Sequence, residues 1–358
     1  MKNTHRHILV RRPKDLSAHW AQRIVRRHTA GAKVFGVKLI SIDVGTSTRL
    51  RIEVDHDADT VPSRWFVKTP SLALKSRLIT ALPRFLHKEV NFYNSFSTHV
   101  PVKLPRILAA ESHLGLGSTL VMTDLAEQDF APGQAGDALT AEQAGQVIEG
   151  LARLHGRYWQ DTTTLKTQRW LNGFSNGMEN HMGSLLAVPL MKQGLAAAGA
   201  RIADRLHRPA IRYARNRRQY MRWLAKGPQT LVHHDCHPGN IFWTQSGPGL
   251  LDWQLVRIGE GIGDVAYFLA TALEPELRRR HEAELLRRYG QQLSLAGVAD
   301  LDERVLFDRY RAHLVYPFEA MVVTLGIGGM MHDASNLELI RRTAAAVDDH
   351  DSFSRIEA

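Results

Sequence analysis

The sequence predicts a bilobal α+β fold, with a small β-rich N-terminal part followed by a larger, mainly helical part. Three observations predict it. At 358 residues the chain exceeds the size at which a single hydrophobic core stops growing. Alternating apolar patterns crowd residues 34–68, and helical spacing of apolar residues dominates after Asp124. The expected division is a helical and basic N-terminal extension over 1–33, a β-rich lobe over 34–124 and a helical lobe over 125–358. Such an arrangement suits a ligand held between two lobes.

Residues 34–54, VFGVKLISIDVGTSTRLRIEV, read as two strands joined by the turn Gly45-Thr46-Ser47-Thr48. A polar turn over 55–63 leads to a third strand, Arg64-Trp65-Phe66-Val67-Lys68. Residues 81–96 place Leu82, Phe85, Leu86, Tyr93 and Phe96 at helical spacing. A loop punctuated by Pro101 and Pro105 precedes a strand near Ile107–Glu111 and the apolar run Ser118–Met122. Helices are expected over 141–159, most of 180–226 and most of 264–350, with short strands over 230–253.

Several function classes are disfavoured. The single cysteine, Cys236, excludes an intramolecular disulfide and fits a reducing cytosol. The N-terminal stretch lacks the apolar core of a signal peptide, and no run approaches the roughly 18–20 apolar residues of a membrane-spanning helix. A cytoplasmic protein is expected. The net charge is +10, and 201–226 holds eight arginines and one lysine against one acid, Asp204. This segment is either a solvated helix face or a surface for nucleic acid, anionic lipid or an acidic ligand. No zinc-finger spacing, RNA-binding aromatic signature or heptad array accompanies it, so nucleic acid and membrane partners are not expected.

The strongest signal is Leu231-Val232-His233-His234-Asp235-Cys236-His237-Pro238-Gly239-Asn240. It contains H-x-D-x-x-x-x-N, the spacing of a kinase catalytic loop, in which the Asp orients the acceptor hydroxyl and the Asn binds metal. The apolar pair supplies a buried strand and Pro238-Gly239 the turn before Asn240. Ile241–Trp243, a turn over 244–249, and Leu250-Leu251-Asp252 read as strand, turn, strand. Pairing of these strands brings Asn240 and Asp252 together, a half-shell of hard oxygens suited to Mg²⁺. Otherwise Asp252 is a turn carboxylate, although its place between two leucines and Trp253 demands a partner.

The N-terminal part answers with a cation. Lys68 ends an apolar strand, and Glu89 falls on the apolar stripe of its helix, where an unpaired carboxylate is costly. A Lys68–Glu89 ion pair resolves both, and it is the pair a kinase uses to aim its phosphate-binding lysine; otherwise the helix is rotated and Glu89 lies on its rim. Around Gly45, backbone N–H groups and the hydroxyl of Thr46, Ser47 or Thr48 either hold phosphates or form an ordinary hairpin turn. The backbone of Val121-Met122-Thr123-Asp124-Leu125 is the natural place for hydrogen bonds to a nucleotide base.

Other conspicuous residues are read structurally. His233 is a hydrogen-bonded brace of its loop. His234, Cys236 and His237 lie too close in sequence for zinc spacing, and Cys236 is a small buried apolar residue. Asp264 caps the helix it opens or bonds back to the loop. Leu325–Met330 is glycine-rich but follows no strand, so close helix packing is expected.

These residues resemble the aminoglycoside phosphotransferase and choline kinase superfamily, particularly its ecdysteroid-kinase-like (CHK) branch. The resemblance rests on Phe66-Val67-Lys68, Lys88-Glu89-Val90-x-Phe92-Tyr93, Leu120–Leu125, and Leu151-Ala152-x-Leu154-His155-x-x-Tyr158-Trp159. It continues through His233-x-Asp235-x-His237-Pro238-Gly239-Asn240, Leu251-Asp252-Trp253-Gln254 and Gly263–Leu269, in the family's order from about 34 to 350. The resemblance implies a protein-kinase-like fold that binds ATP and Mg²⁺. It implies Lys68 on the phosphates, Glu89 on Lys68, Asp235 as base, and Asn240 and Asp252 as metal ligands. It also implies ATP-dependent transfer of phosphate to a hydroxyl of a small acceptor. Cys236 stands where the family usually has leucine, and His234 where glycine is common. A glycine triplet, D-F-G and A-P-E are missing, which disfavours a protein substrate. Arg205, Arg208, Arg212 and Arg215 follow three- and four-residue steps, with Pro209 as a break or start, so an acceptor with a negative group or an acidic partner is expected. The rival readings are a catalytically weak nucleotide-binding module and a basic-surface binder of nucleic acid or membrane.

Overall fold

In the computed structural model, residues 7–73, 84–128, 130–173 and 178–356 are described; Leu82 of the expected helical stripe lies outside them. The chain divides into two compact units, Met1–His99 with Leu104–Ala131, and Val100–Lys103 with Pro132–Ala358.

The first unit is built on an antiparallel sheet of five strands: β1 (Val34–Val44), β2 (Ser47–His56), β3 (Arg64–Pro70), β4 (Ile107–His113) and β5 (Gly117–Thr123). Their spatial order is β1-β2-β3-β5-β4. Period-two alternation in β2 buries Leu50, Ile52 and Val54 on one face, opposite Trp65 and Val67 of β3. Helix α1 (Ala18–His28) covers that face with Trp20, Ala21, Ile24 and Val25 and turns Arg26, Arg27 and His28 to its last turn. Ser17 caps it by accepting from the Trp20 N–H. The stretch before α1 is tied down as well. Trp20 Nε1 donates to the Ile8 carbonyl at 2.8 Å, and the Val10 N–H to Thr119 Oγ1 at 2.8 Å. His7 and His113 both meet Glu111 Oε1, at 2.5 and 3.0 Å, while the Ile8 N–H and Arg27 approach its other oxygen. With that cation beside it, the cluster acts as a clamp on the segment. Helix α2 (Phe85–Phe96) completes the unit.

The second unit is mainly helical: α3 (Ala141–Arg157), α4 (Thr162–Thr167), α5 (Met178–Ala198), α6 (Asp204–Arg215) and α7 (Arg217–Leu224) come first. After the strands follow α8 (Gly261–Ala272), α9 (Pro275–Leu295), α10 (Glu303–His313), α11 (Val315–Ile327), α12 (Asp333–Asp349) and α13 (Ser352–Arg355). The two-residue strand β6 (Ala131–Pro132) straddles the sequence boundary between the units. Strand β7 (Gln229–Val232) pairs with β10 (Arg257–Glu260), and β8 (Ile241–Thr244) with β9 (Gly247–Leu250). Strand β10 is not apparent in the sequence, because Arg-Ile-Gly-Glu carries two charges. It is buried nonetheless, since Glu260 is met by Arg309 and by His313 at 2.8 Å.

In the glycine-rich stretch after Leu325, Gly326 serves helix packing, while Gly328 and Gly329 take positive φ past the helix end. A Cβ on Gly326 would lie 2.7 Å from the Leu190 carbonyl, and one on Gly194 2.0 Å from that of Val322, so α5 and α11 touch through bare backbone.

The basic segment is not one uniform face. Helix α6 runs through Pro209 rather than breaking there. Arg201, Arg208, Arg212, Arg215, Arg218 and Arg222 are exposed, and Arg205 pairs with Asp348. Arg217 is buried against Glu319 and donates to Asn180 Oδ1 at 2.5 Å, while Tyr213 donates to Glu319 at 2.6 Å. Removing a member of a buried ion pair strands its partner in low dielectric. Arg217→Ala is therefore expected to cost about 3–5 kcal/mol, and Arg208→Ala less than about 0.5 kcal/mol. Urea unfolding followed by near-ultraviolet circular dichroism measures both.

Candidate active site

Lys68 lies near the end of β3, opposite Arg49 of β2 and Leu120 of β5. Its Nζ is 2.6 Å from Glu89 Oε2, with the two side chains 4% and 1% exposed. Glu89 thus faces inward from α2, which also buries Val90, Phe92, Tyr93 and Phe96. Gly45 and Thr46 form the tip of the β1–β2 hairpin, closed by the Gly45 N–H on the Ser47 carbonyl at 3.0 Å. Ser47 opens β2 and is buried, while the Thr48 hydroxyl accepts the Leu72 N–H at 2.9 Å. At the end of β5, the Thr123 N–H is given to the Arg106 carbonyl at 2.9 Å, and the Leu125 carbonyl accepts from Phe130 at 3.2 Å. The Thr123 Oγ1 is buried without a hydrogen-bond partner among the described residues.

In the second unit, residues 233–240 form a tight loop between β7 and β8, and one buried carboxylate shapes it. Asp264, in the first turn of α8, accepts the His233 N–H at 2.7 Å on one oxygen and the His234 N–H at 2.8 Å on the other. His155 of α3 adds its Nε2 at 3.2 Å, and its Nδ1 meets the Tyr289 hydroxyl at 2.9 Å. The carboxylate accepts only, so Nε2 carries the proton and Nδ1 accepts from the tyrosine. Helix α8 begins at Gly261, and Asp264 bonds back to the loop instead of capping. Gly261 is required there, because a Cβ would stand 2.6 Å from Tyr289 Oη and 2.7 Å from His155 Nδ1. Burial pushes the Asp264 carboxyl up. The hydrogen bond from His155 and that from the His233 backbone N–H outweigh it and hold the group below its usual range.

The loop then brings Asp235 to its position. His233 braces it, with Nδ1 accepting the Asp235 N–H at 3.2 Å and Nε2 donating to the Leu251 carbonyl at 2.7 Å. Asp235 Oδ1 accepts the Tyr267 hydroxyl at 2.7 Å, and Oδ2 accepts from Asn240 Nδ2 at 3.1 Å. Asn240 Nδ2 also donates to the Asp235 carbonyl at 2.9 Å. Both partners of that nitrogen are acceptors, so the amide orientation follows and its Oδ1 is the oxygen left for a ligand. The Leu251 N–H on the Asn240 carbonyl, at 2.8 Å, extends the β8–β9 ladder and sets Asp252 beside Asn240. Asn240 Oδ1 and the Asp252 carboxylate are hard oxygens of the kind Mg²⁺ takes, so the residues present fit that ion.

Two non-glycine residues here adopt left-handed backbone, His234 at φ 71° and Asp252 at φ 57°. Such conformations persist only where surrounding contacts over-determine them, and they gather at functional sites. His234 is held by the Asp264 bond and by stacking on Tyr316 at 4.1 Å between ring centroids. Its angle explains why glycine suits the position. Cys236 is fully buried, and burial followed by the charges of Asp264 and Asp235 pushes its thiol well up, so it is inert.

Tyr267 is the residue that sequence reasoning missed. It lies in the apolar run Val265–Leu269, where it reads as one more core side chain. The available signal was a hydroxyl one helical turn after a buried carboxylate. Burial, and then the charge of Asp235, keep that hydroxyl well above the usual tyrosine range and hence a donor.

Asp264→Asn replaces one acceptor oxygen by an N–H facing donors. The variant is expected to lose about 2–3 kcal/mol at neutral pH. A carboxylate depressed in the fold contributes stability that is present above its unfolded value and lost as pH falls through its folded one. The difference from wild type is therefore expected to narrow in acid, as measured by denaturation at pH 7 and toward pH 3.

The family described as phosphotransferase enzyme family, APH, matches residues 52–304. No curated protein sequence matches the chain. Among solved structures it is similar to the GDP complex of wild-type aminoglycoside 2′-phosphotransferase-IIIa, at 13% identity and TM-score 0.54, covering 90% of this chain and 96% of that one. It is also similar to a choline kinase from Cryptosporidium parvum Iowa II, at 11% identity and TM-score 0.51, covering 93% of each. A third is a Plasmodium vivax ethanolamine kinase, at 13% identity and TM-score 0.51, covering 88% of this chain and 83% of that one. These similarities show a kinase-like fold, and the family match spans strands β3 to β5 of the sheet, the buried Lys68–Glu89 pair and the Asp235 loop. The chain belongs to the APH phosphotransferase family.

Proposed function

We propose that this protein transfers the γ-phosphate of ATP to a hydroxyl group of a small molecule, with Asp235 as the base. The observation that carries this reading is the fixed Asp235 carboxylate, held on one oxygen by Tyr267 and on the other by Asn240 within a loop braced from Asp264. Phosphoryl transfer asks mainly for positioning and electrostatic stabilisation, and a carboxylate immobilised in this way positions an acceptor hydroxyl and takes its proton. Asn240 Oδ1 and Asp252 would hold Mg²⁺, which when bound neutralises phosphate charge. Lys68 meets the ATP phosphates, and Glu89 keeps its ammonium in place. Ser47 at the β1–β2 turn and the Thr123–Leu125 backbone are the first unit's remaining nucleotide contacts in this reading.

The finer placement we propose is the ecdysteroid-kinase-like branch, supported by Lys88-Glu89-Val90 and by Gly263–Leu269 following Asp252-Trp253-Gln254. The second unit is the natural source of acceptor contacts. Arg208, Arg212 and Arg215 are exposed there, and guanidinium forks suit an acceptor with a carboxylate or phosphate. Replacing the three with Gln is expected to raise the acceptor KM in a salt-sensitive way and leave the KM for ATP unchanged.

Asp235→Asn is expected to lower kcat by about 10²–10⁴-fold while Mg-ATP affinity holds. Asp252→Ala is expected to abolish Mg²⁺-dependent ATP binding, and Lys68→Ala to weaken nucleotide binding without unfolding the chain. Calorimetry with Mg-ATP and acceptor-dependent ATP consumption separate these outcomes. Near-wild-type turnover of Asp235→Asn overturns the assignment of the base.

A further inference from the structure

Strand β1 is the outermost strand of the first unit's sheet, eleven residues long and without proline. Edge strands of this length are normally blunted, because their unpaired backbone groups invite another strand. This one carries register shifts at Phe35 and Ile40, yet still displays large apolar side chains: Phe35 is 62% exposed, Ile40 46%, and Leu39, Ile42 and Val44 44% each. Leu39, Ile42 and Val44 share a face. The register against β2 shifts by one residue between Leu39 and Ser41, where Ile40 is the extra residue. That bulge keeps Val37, Leu39, Ile42 and Val44 on one face, opposite Val54, Ile52, Leu50 and Thr48 of β2. It leaves Lys38, Ser41 and Asp43 on the other, opposite Glu53, Arg51 and Arg49. Helix α1 packs on the apolar face only as far as Val34 and Val37, which are partly buried.

The strand is also complementary to itself. Antiparallel pairing of two copies about a two-fold axis at Ser41, with Ile40 of each copy bulged out of the new ladder as it is against β2, sets Leu39 against Ile42, Val37 against Val44 and Lys38 against Asp43, each twice. Opposed residues share a face, so apolar meets apolar and cation meets anion throughout. Asp43 already lies 2.8 Å from Arg49, and Lys38 lies opposite Glu53 in the register. Pairing therefore completes a ladder of alternating charge across four strands: Glu53, Lys38, then the second copy's Asp43 and Arg49. The same patch serves both copies, as a closed two-fold contact requires.

We infer that β1 is the docking surface for a second copy of this chain, joining two sheets edge to edge in the register centred on Ser41. The test uses the full chain. Sedimentation velocity across a concentration series is expected to show a monomer–dimer equilibrium, and Lys38→Asp, which sets Asp against Asp43, is expected to weaken it at least tenfold. Directly opposed Cα atoms in an antiparallel pair are about 4.5–5.5 Å apart, within disulfide reach. Ser41→Cys is thus expected to oxidise to a covalent dimer, while the sole native cysteine, Cys236, is buried and silent. Lys38→Cys and Asp43→Cys are expected to stay uncrosslinked alone and to link when mixed. Near-ultraviolet circular dichroism checks that each variant is folded. A wild-type chain that stays monomeric at every concentration overturns the inference. So does a Ser41→Cys chain that links no faster than Leu116→Cys, placed on the exposed β4–β5 turn at the far edge of the sheet.

Discussion

The buried carboxylate of Asp264 is the constraint on which the arrangement of the second unit's 233–240 loop depends. Its two oxygens take the consecutive N–H groups of His233 and His234, and thereby set where the chain turns after β7. A fully buried carboxylate is tolerable only when its lone pairs are met, and here three donors from two elements meet them. One of those elements, α3, is held in turn through His155 and Tyr289 of α9. Everything downstream follows from that anchor. His233 can brace Leu251, the β8–β9 ladder can present Asn240 and Asp252 together, and α8 can deliver the Tyr267 hydroxyl to Asp235 one turn beyond Asp264.

The first unit repeats the same physics with one pair. An inward-facing glutamate on an apolar helix stripe is costly until Lys68 meets it, and a lysine buried at the end of a strand is costly until Glu89 does. The pair therefore holds a cation at a defined place. Much of the unit's remaining packing supports the sheet that carries Lys68. Trp65 and Val67 flank Lys68 in β3 from the opposite face, under Trp20 and Ile24 of α1.

Sequence legibility followed interaction range. Strands β1 to β5 and the long helices were readable because alternation and helical spacing are local. Glu89 was readable because a carboxylate on an apolar stripe advertises a partner. The Asp235 loop was readable because its H-x-D-x-x-x-x-N spacing is local in sequence. Strand β10 was not, since Arg257 and Glu260 look solvated until Arg309 and His313 arrive from distant sequence. Nor was the mixed character of 201–226, where Arg217 goes inward to Glu319 while its neighbours stay in water. Tyr267 escaped for the same reason: a hydroxyl in an apolar helix shows its purpose only once Asp235 is beside it. The left-handed backbone at His234 likewise becomes visible only in three dimensions, where stacking on Tyr316 supports it.

We propose that this loop performs phosphoryl transfer to a hydroxyl. It is tested most directly by incubating the protein with γ-labelled ATP, Mg²⁺ and panels of hydroxylated antibiotics, amino alcohols, sugars and sterols, and following the label. Label is expected on the hydroxyl oxygen of an acceptor, at a rate that depends on the acceptor and on Mg²⁺. Tight binding of Mg-ATP, with its γ-phosphate passing to no hydroxyl compound but only to water at an acceptor-independent rate, would contradict it.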